Sequence, residues 1–343
     1  MDFALTEAQQ QIVDAIEKVC TPFDAEYWYA RDNDGEFPEA FYRTLADAGW
    51  LGIAMPEEFG GAGLGITEAA LMMHTIASTG AGLSGASAVH MNIFGLHPVV
   101  VFGTQEQKQR MLPPLIAGKD KACFGVTEPN AGLNTLKLKT RAVREGHHYV
   151  VHGQKVFIST AREATKMLLL ARTKPVEECR GTEGLSLFYT DFDRSKIEVH
   201  EIPKMGRKCV DTNQLFIDGL RIPVEDRIGE EGKGFEYILH GGMNPERILI
   251  ASEAIGLGRA ALSRAAKYAG EREVFNRPIG KNQGIQHPLA ERWIELEAAF
   301  LLAMKAAWLY DQHKPCGAEA NAAKFFGADS SACLSLRFCT MAL

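Results

Sequence analysis

Glu246 is a carboxylate set among apolar neighbours. It stands in Met243-Asn244-Pro245-Glu246-Arg247 and is followed by Ile248, Leu249 and Ile250. A carboxylate buried among such residues has its pKa raised toward the working pH, which is what a general base needs. The same residues also make a good helix start, with Asn244 as cap, Pro245 in the first turn and Glu246 complementing the helix dipole. Two β-prone runs carry hydroxyls, Phe124-Gly125-Val126-Thr127-Glu128-Pro129-Asn130-Ala131-Gly132 and Gln154-Lys155-Val156-Phe157-Ile158-Ser159. Each alone reads as a strand with an incidental Thr or Ser. Arg272, alone, reads as a solvated helix end between Glu271 and Glu273. Gly60-Gly61-Ala62-Gly63-Leu64-Gly65 invites a phosphate-loop reading, but that motif needs a strand before it, a helix after it and a parallel βαβ unit. Here Pro56-Glu57-Glu58 precedes the glycines and helical stretches flank them, so a connecting loop is expected.

Composition narrows the classes. The 343 residues suffice for two or three packed units, and 46% hydrophobic with 23% charged residues is ordinary for a soluble globular protein. The net charge of -6, with no Lys/Arg cluster, argues against nucleic acid as a partner. The 7 cysteines form no CxxC pair and no Cys/His ligand spacing, so neither metal nor disulfides are expected and a reducing compartment is the default. His97, His147, His148 and His287 read as solvated or structural. The start, Met1-Asp2-Phe3-Ala4-Leu5-Thr6-Glu7, is acidic and resembles neither a signal nor a transit peptide, and a cytoplasmic location is expected. His90, Asn92, His97 and Pro98 interrupt the most apolar window, Ala86 to Gly103, and argue against a membrane span there.

These residues need elements to hold them. Thr6 is an N-cap for a helix carrying Ile12, Val13, Ile16 and Val19 at helical spacing, and further helices are expected over Pro38–Ala48 and Thr67–Ser78. Gly103-Thr104 caps a helix from Gln105 to Ala117, with a kink or break at Pro113-Pro114. Past Ala122 come short β-prone runs at Tyr149–His152, Lys155–Ile158, Met167–Leu170, Leu185–Tyr189 and Ile197–His200. Leu215–Ile217 and Leu220–Ile222 flank Asp218-Gly219, a hairpin signal. From Gly232 the chain is helical again, with Ala251, Ala254, Gly258, Ala261, Leu262 and Ala265 forming a small-residue face and a second long helix over Gln286–Gln312. The fold class is α+β, in three segments. A helical domain (1–121) precedes an antiparallel sheet or barrel (122–229), and an incomplete helical bundle (230–343) follows.

The two hydroxyl-bearing runs, in this order, resemble the flavin-contacting segments of the acyl-CoA dehydrogenase family. Pro56-Glu57-Glu58-Phe59-Gly60-Gly61, Gly103-Thr104-Gln105-Glu106-Gln107-Lys108, Met205-Gly206-Arg207 and Arg272-Glu273-Val274-Phe275 continue the resemblance over the whole chain. It implies FAD, with Thr127 against the isoalloxazine ring and Phe124 and Val126 giving backbone contacts. Phe157 keeps an aromatic wall where the family usually has Trp, and Ser159 keeps the hydroxyl. It also implies that Arg272, Phe275 and Gln283 reach the cofactor's diphosphate and adenine across a subunit interface, hence a homo-oligomer, dimer or tetramer. Asn276 replaces the usual Gly after Phe275. Glu246 falls on the base position of the isovaleryl and long-chain subset, with Met243, Asn244 and Arg247 beside it in the substrate pocket. Leu133 replaces a Ser that helps hold the pantetheine arm.

The implied activity is α,β-dehydrogenation of an acyl-CoA to the trans-2-enoyl-CoA, with electrons passed to an electron-transfer flavoprotein. Alternatives left open are an oxidase, a dehydrogenase of carrier-protein thioesters on the same fold, and a truncated inactive paralogue. The family pattern implies a continuation past Thr340-Met341-Ala342-Leu343, with a Gly-rich turn near the cofactor and a backbone N–H that polarises the thioester carbonyl. A chain lacking that donor is expected to lose about 10²–10³ in rate.

Overall fold

The computed structural model describes residues 4–342, with side chains through 331 other than Phe94. Met1 to Phe3, at the acidic start, and Leu343, at the point of the implied continuation, lie outside the described residues. Helices α1 (Glu7–Cys20), α2 (Ala25–Asp34), α3 (Glu39–Asp47), α4 (Ile66–Ile76), α5 (Gly82–Phe94), α6 (His97–Phe102) and α7 (Gln105–Ile116) come first. Strands β1 (Ala122–Gly125), β2 (Arg141–Glu145), β3 (His148–Ser159), β4 (Lys166–Arg172), β5 (Leu185–Asp191), β6 (Ile197–Glu201), β7 (Thr212–Pro223) and β8 (Arg227–Ile228) follow. Then come α8 (Gly234–Ile238), α9 (Asn244–Glu271), a small hairpin of β9 (Glu273–Val274) and β10 (Arg277–Pro278), α10 (Gln283–Asp311) and α11 (Gly317–Ala342). Contacts divide the chain into two interleaved units, one of Met1–Trp28, Leu64–Ala86 and Asn244–Leu343, the other of Tyr29–Gly63 and Ser87–Met243.

The second unit holds an eight-stranded sheet in the order β6-β7-β3-β2-β4-β5-β8, with β1 also paired to β4. It is mixed, because β4 runs parallel to β1 and β2 while β3 pairs antiparallel with β7 and β4 with β5. The uninterrupted apolar run of β4 reflects burial on both faces: Leu168 and Leu170 pack with Leu112 and Leu115 of α7, while Met167 and Leu169 pack with Tyr149, Val151 and Leu215. Three expectations need correction. Tyr149–His152 and Lys155–Ile158 belong to one strand, β3. Asp218-Gly219 is not a hairpin: β7 runs straight through, and Gly219, at φ 70, is the extra residue of a bulge between the pairs Val151–Leu220 and His152–Asp218. Pro113 and Pro114 do not break α7. They lie near its end, and their carbonyls accept the N–H groups of Ala117, Lys119 and Asp120 that close it.

In the first unit, α9 packs against α4, α10 and α11. The small-residue face permits close approach: a Cβ on Gly256 would lie 2.2 Å from the His74 carbonyl oxygen of α4, and one on Gly258 2.7 Å from Leu296 of α10. The N-cap of α4, Gly65, has no side chain to offer the helix, although Glu68 accepts from its N–H at 3.1 Å. Asp311, at the end of α10, supplies the side-chain cap, accepting from Ile66 N (2.8 Å), Thr67 N (3.0 Å) and Thr67 Oγ1 (2.6 Å). The stretch Ile66–Phe102 has the length and composition of a membrane span, yet 82% of its most apolar window is buried inside the protein. The glycine run is a loop between a short 3-10 turn at Glu57–Phe59 and α4.

Asp311→Ala removes three hydrogen bonds from a helix N-terminus and is expected to cost about 1–2 kcal/mol, read as a lower thermal midpoint. His74 is held neutral in the fold, burial first and the Arg259 charge second pushing its pKa down to about 3. The unfolded chain therefore binds a proton below pH ~6.5 that the fold refuses, so stability falls as pH drops from about 6.5 toward 3. Between pH 6.5 and 5 the loss from His74 is expected to reach about 1.6 kcal/mol. His74→Leu should remove that share in denaturant titrations at the two pH values.

Candidate active site

The two hydroxyl-bearing runs meet in the second unit. Strand β3 is bulged at Phe157: its register with β7 passes from Lys155–Leu215 to Ile158–Asn213, so two residues face one. The bulge frees the Val156 N–H, which donates to the Thr127 carbonyl at 2.9 Å and ties the run after β1 to β3. Phe157 takes a φ of 60 and is 65% exposed. A left-handed backbone carrying an exposed aromatic is strain of the kind kept at functional sites. Thr127 and Ser159 are half-buried, and among the described residues neither hydroxyl has a protein hydrogen-bond partner. Phe124 and Val126 are half-buried beside them, and Leu133 is fully exposed on the following loop.

Beneath this surface lies a buried ion pair. Lys155, 0% exposed, donates from Nζ to Glu128 Oε1, the Val126 carbonyl and the Leu170 carbonyl, each at 2.9 Å. All three ammonium protons are thus used. Glu128 also accepts from Lys139 N (2.7 Å) and Thr140 N (2.9 Å). Burial works against the Glu128 charge, but the Lys155 ammonium and these N–H groups outweigh it and hold the carboxyl below its usual range. Burial pulls the Lys155 ammonium down to about 8, against the opposing pull of Glu128. Arg172 completes the support, donating to the Leu138 (3.0 Å) and Leu136 (2.7 Å) carbonyls. The loop from Val126 to Thr140 is therefore held by three buried charges.

The turn after Phe157 is clamped as well. Asn213 Nδ2 donates to the Ile158 carbonyl at 2.9 Å and to Asp211. The Asp211 carboxylate accepts from Arg162 N (3.0 Å) and its carbonyl from Thr160 N (3.2 Å), Thr160 being a second left-handed residue at φ 60. Arg194 donates to the Arg162 (2.6 Å) and Ala164 (3.0 Å) carbonyls. Sequence reading assigned no role to Lys155, Glu128, Arg172, Arg194, Asp211 or Asn213. Lys155 and Glu128 stood inside the quoted runs, and a charged residue in a β-prone run was the available signal; the others carried none.

The remaining expected residues divide between the units. Met243 closes the second unit, in a π-turn over Leu239–Met243, and Asn244 opens the first. Pro245 has no N–H to offer the ladder, which accounts for the widened turn before it. Asn244, Glu246 and Arg247 are half-buried in the first turn of α9. Glu246 is thus less enclosed than its apolar neighbours suggest. Arg272 follows the other end of α9, where its carbonyl accepts from Ile279 N at 2.8 Å. Phe275 and Asn276 have φ of 54 and 59, the two left-handed residues of a tight turn joining β9 to β10. Asn tolerates this conformation in place of Gly; Phe275, 95% exposed, does so under strain. Gln283 is exposed at the start of α10. Since α9 has 28 residues, Glu246 and Arg272 of one chain lie about 40 Å apart at 1.5 Å per residue.

Asn213→Ala strips a buried carbonyl and a buried carboxylate of one donor. It is expected to cost about 1–3 kcal/mol, seen as a lower thermal midpoint, and to speed proteolysis within residues 157–164.

Comparison with known proteins places this geometry. Family profiles match in sequence order: acyl-CoA dehydrogenase N-terminal domain at residues 6–119, middle domain at 123–220 and C-terminal domain at 232–334. The acyl-CoA dehydrogenase fadE12 of Mycobacterium bovis is 36% identical over 334 residues, covering 96% of this chain and 84% of that protein. Among solved structures, butyryl-CoA dehydrogenase from Megasphaera elsdenii superposes with a TM-score of 0.92 at 28% identity, over 98% of this chain and 88% of that one. A chain from the structure of the electron transferring flavoprotein of Acidaminococcus fermentans gives 0.93 at 32% identity, with the same two coverages of 98% and 88%. With all three domains matched in order over nearly its whole length, the chain belongs to the acyl-CoA dehydrogenase family and is an oxidoreductase of that family.

Proposed function

We propose that this protein is an FAD-dependent dehydrogenase that converts an acyl-CoA to the trans-2-enoyl-CoA and delivers the electrons to an electron-transfer flavoprotein. The observation that carries the reading is the junction of Thr127 with Val156, which ties Thr127 to the strand that carries Ser159 and the exposed, strained Phe157, both hydroxyls being unpartnered among the described residues. Ring-sized apolar area beside free hydrogen-bonding groups is what an isoalloxazine asks of a protein. Bound there, the flavin would supply the two-electron acceptor for the substrate's β-hydrogen.

The chain's own residues would do the rest. Phe124 and Val126 offer backbone contacts, Thr127 and Ser159 donate, and Phe157 walls the ring. Glu246 takes the α-proton onto a carboxylate oxygen as the C–H pair is broken and the Cα–Cβ double bond forms. Met243, Asn244, Arg247 and Leu133 line the path of the thioester. Arg272, Phe275 and Gln283 hold the diphosphate and adenine end. The separation of about 40 Å between the ends of α9 favours supply of these last three by a second copy of the chain, hence a homodimer or a larger assembly. The similarity to a chain from an electron transferring flavoprotein structure supports the acceptor, and the likeness to butyryl-CoA dehydrogenase supports a CoA thioester.

Glu246→Gln tests the reading. The variant should retain its yellow flavin and melt within a degree or two of wild type. Its rate of bleaching by acyl-CoA under anaerobic conditions should fall by about 10²–10⁴. Bleaching at the wild-type rate would remove Glu246 from the base role, and a wild-type chain that takes up no FAD would remove the flavin reading.

A further inference from the structure

We infer that Lys155 is a positioning residue that acts through the Val126–Thr127 peptide to favour the reduced, more negatively charged form of the flavin over the oxidised form. The inference rests on the flavin reading of Thr127. The Val126 carbonyl and the Thr127 N–H belong to one peptide group. The carbonyl accepts from the Lys155 ammonium at 2.9 Å. A charge-assisted bond to that oxygen draws electron density from the amide and makes the N–H a stronger donor, an effect that low local dielectric preserves. The Thr127 N–H has no protein acceptor among the described residues, whereas its carbonyl is already occupied by Val156 N at 2.9 Å. The peptide is thus fixed on its inner side and open on the donor side.

The ammonium is equally fixed. Its other bonds, to Glu128 Oε1 and the Leu170 carbonyl, anchor it at 2.9 Å each. Glu128 is itself held by Lys139 N and Thr140 N, which keeps the anion on the loop side of the pair.

The test measures the flavin midpoint potential of the FAD-loaded protein anaerobically at pH 6.5 against a reference dye, with FAD occupancy and melting temperature recorded alongside. Lys155→Met/Glu128→Gln removes both charges together, so that neither is stranded in the core. It should lower the preference for the reduced form about tenfold, about 30 mV for a two-electron couple. Lys155→Met alone removes the ammonium from the Val126 carbonyl and leaves Glu128 on Lys139 N and Thr140 N, so its potential should also fall, by at least as much. This single variant decides the matter if the double variant does not fold. A purely structural role would lower melting temperature and occupancy while leaving the potential unchanged. Potentials within about twofold of wild type in that ratio, or a Lys155→Met shift that is upward, overturn the inference. A wild-type chain that binds no FAD overturns the flavin reading and this inference with it.

Discussion

An ammonium group with no solvent exposure must find an acceptor for every proton, because the desolvation cost of a bare buried charge is several kcal/mol. Lys155 meets that demand with three acceptors from two places in the chain: the Val126 carbonyl and the Glu128 carboxylate in the loop after β1, and the carbonyl of Leu170 in β4. Each acceptor is thereby given one position. Glu128 in turn fixes Lys139 and Thr140, and Arg172 fixes Leu136 and Leu138. The loop that carries Thr127 and Leu133 is an irregular segment, and such segments are ordinarily mobile. Here the charges beneath it leave little freedom at its two ends. This is why Thr127 can present a free hydroxyl and a free N–H without collapsing onto neighbouring backbone.

The same logic, strain held in place by surrounding bonds, recurs at the two exposed aromatic residues assigned to the cofactor. Phe157 occupies a bulge with a left-handed backbone, and Phe275 occupies a left-handed turn position. Neither residue prefers that conformation, and each such departure costs of order 1–3 kcal/mol. At Phe157 the cost is offset by Asn213, Asp211 and Arg194, which bond the carbonyls and amides of the next few residues. At Phe275 the hairpin pairing of Arg277 with Val274 and the Ile279–Arg272 bond do the same. Both rings remain exposed, at 65% and 95%. Apolar rings fixed in the open on strained backbone are better explained by a ligand than by folding alone.

The helical unit solves a different problem. Long helices bury themselves only if their contact faces let the axes approach, and α9 does this with glycine and alanine against α4 and α10. Close approach brings a polar cost, since half-buried His74 has its Nε2 enclosed and unpartnered among the described residues, near Arg259 and Phe300. The length of α9 also keeps Glu246 and Arg272 far apart, which shapes the proposal that one copy's Arg272 and Phe275 serve another copy's cofactor.

Interactions between residues close in sequence were legible from the residues themselves. Thr6 and Thr104 cap α1 and α7 as read, because an N-cap bond spans only three residues. The β-prone runs fell in strands because alternation and β-branching act locally, and the paired segments around Thr127 and Ser159 identified the family. Tertiary structure decided what depends on a partner distant in the chain. Whether Asp218-Gly219 turns the chain or only bulges it was set by pairing with Val151 and His152 of β3, whose demand for continuous pairing outweighed the local turn preference. The cap on α4 came from Asp311, 245 residues from Ile66, and the counter-ion of Lys155 from Glu128, 27 residues away. Charge and hydroxyl identities are written in the sequence, but which of them are buried, satisfied or left open is fixed only when the sheet and the helices close around them.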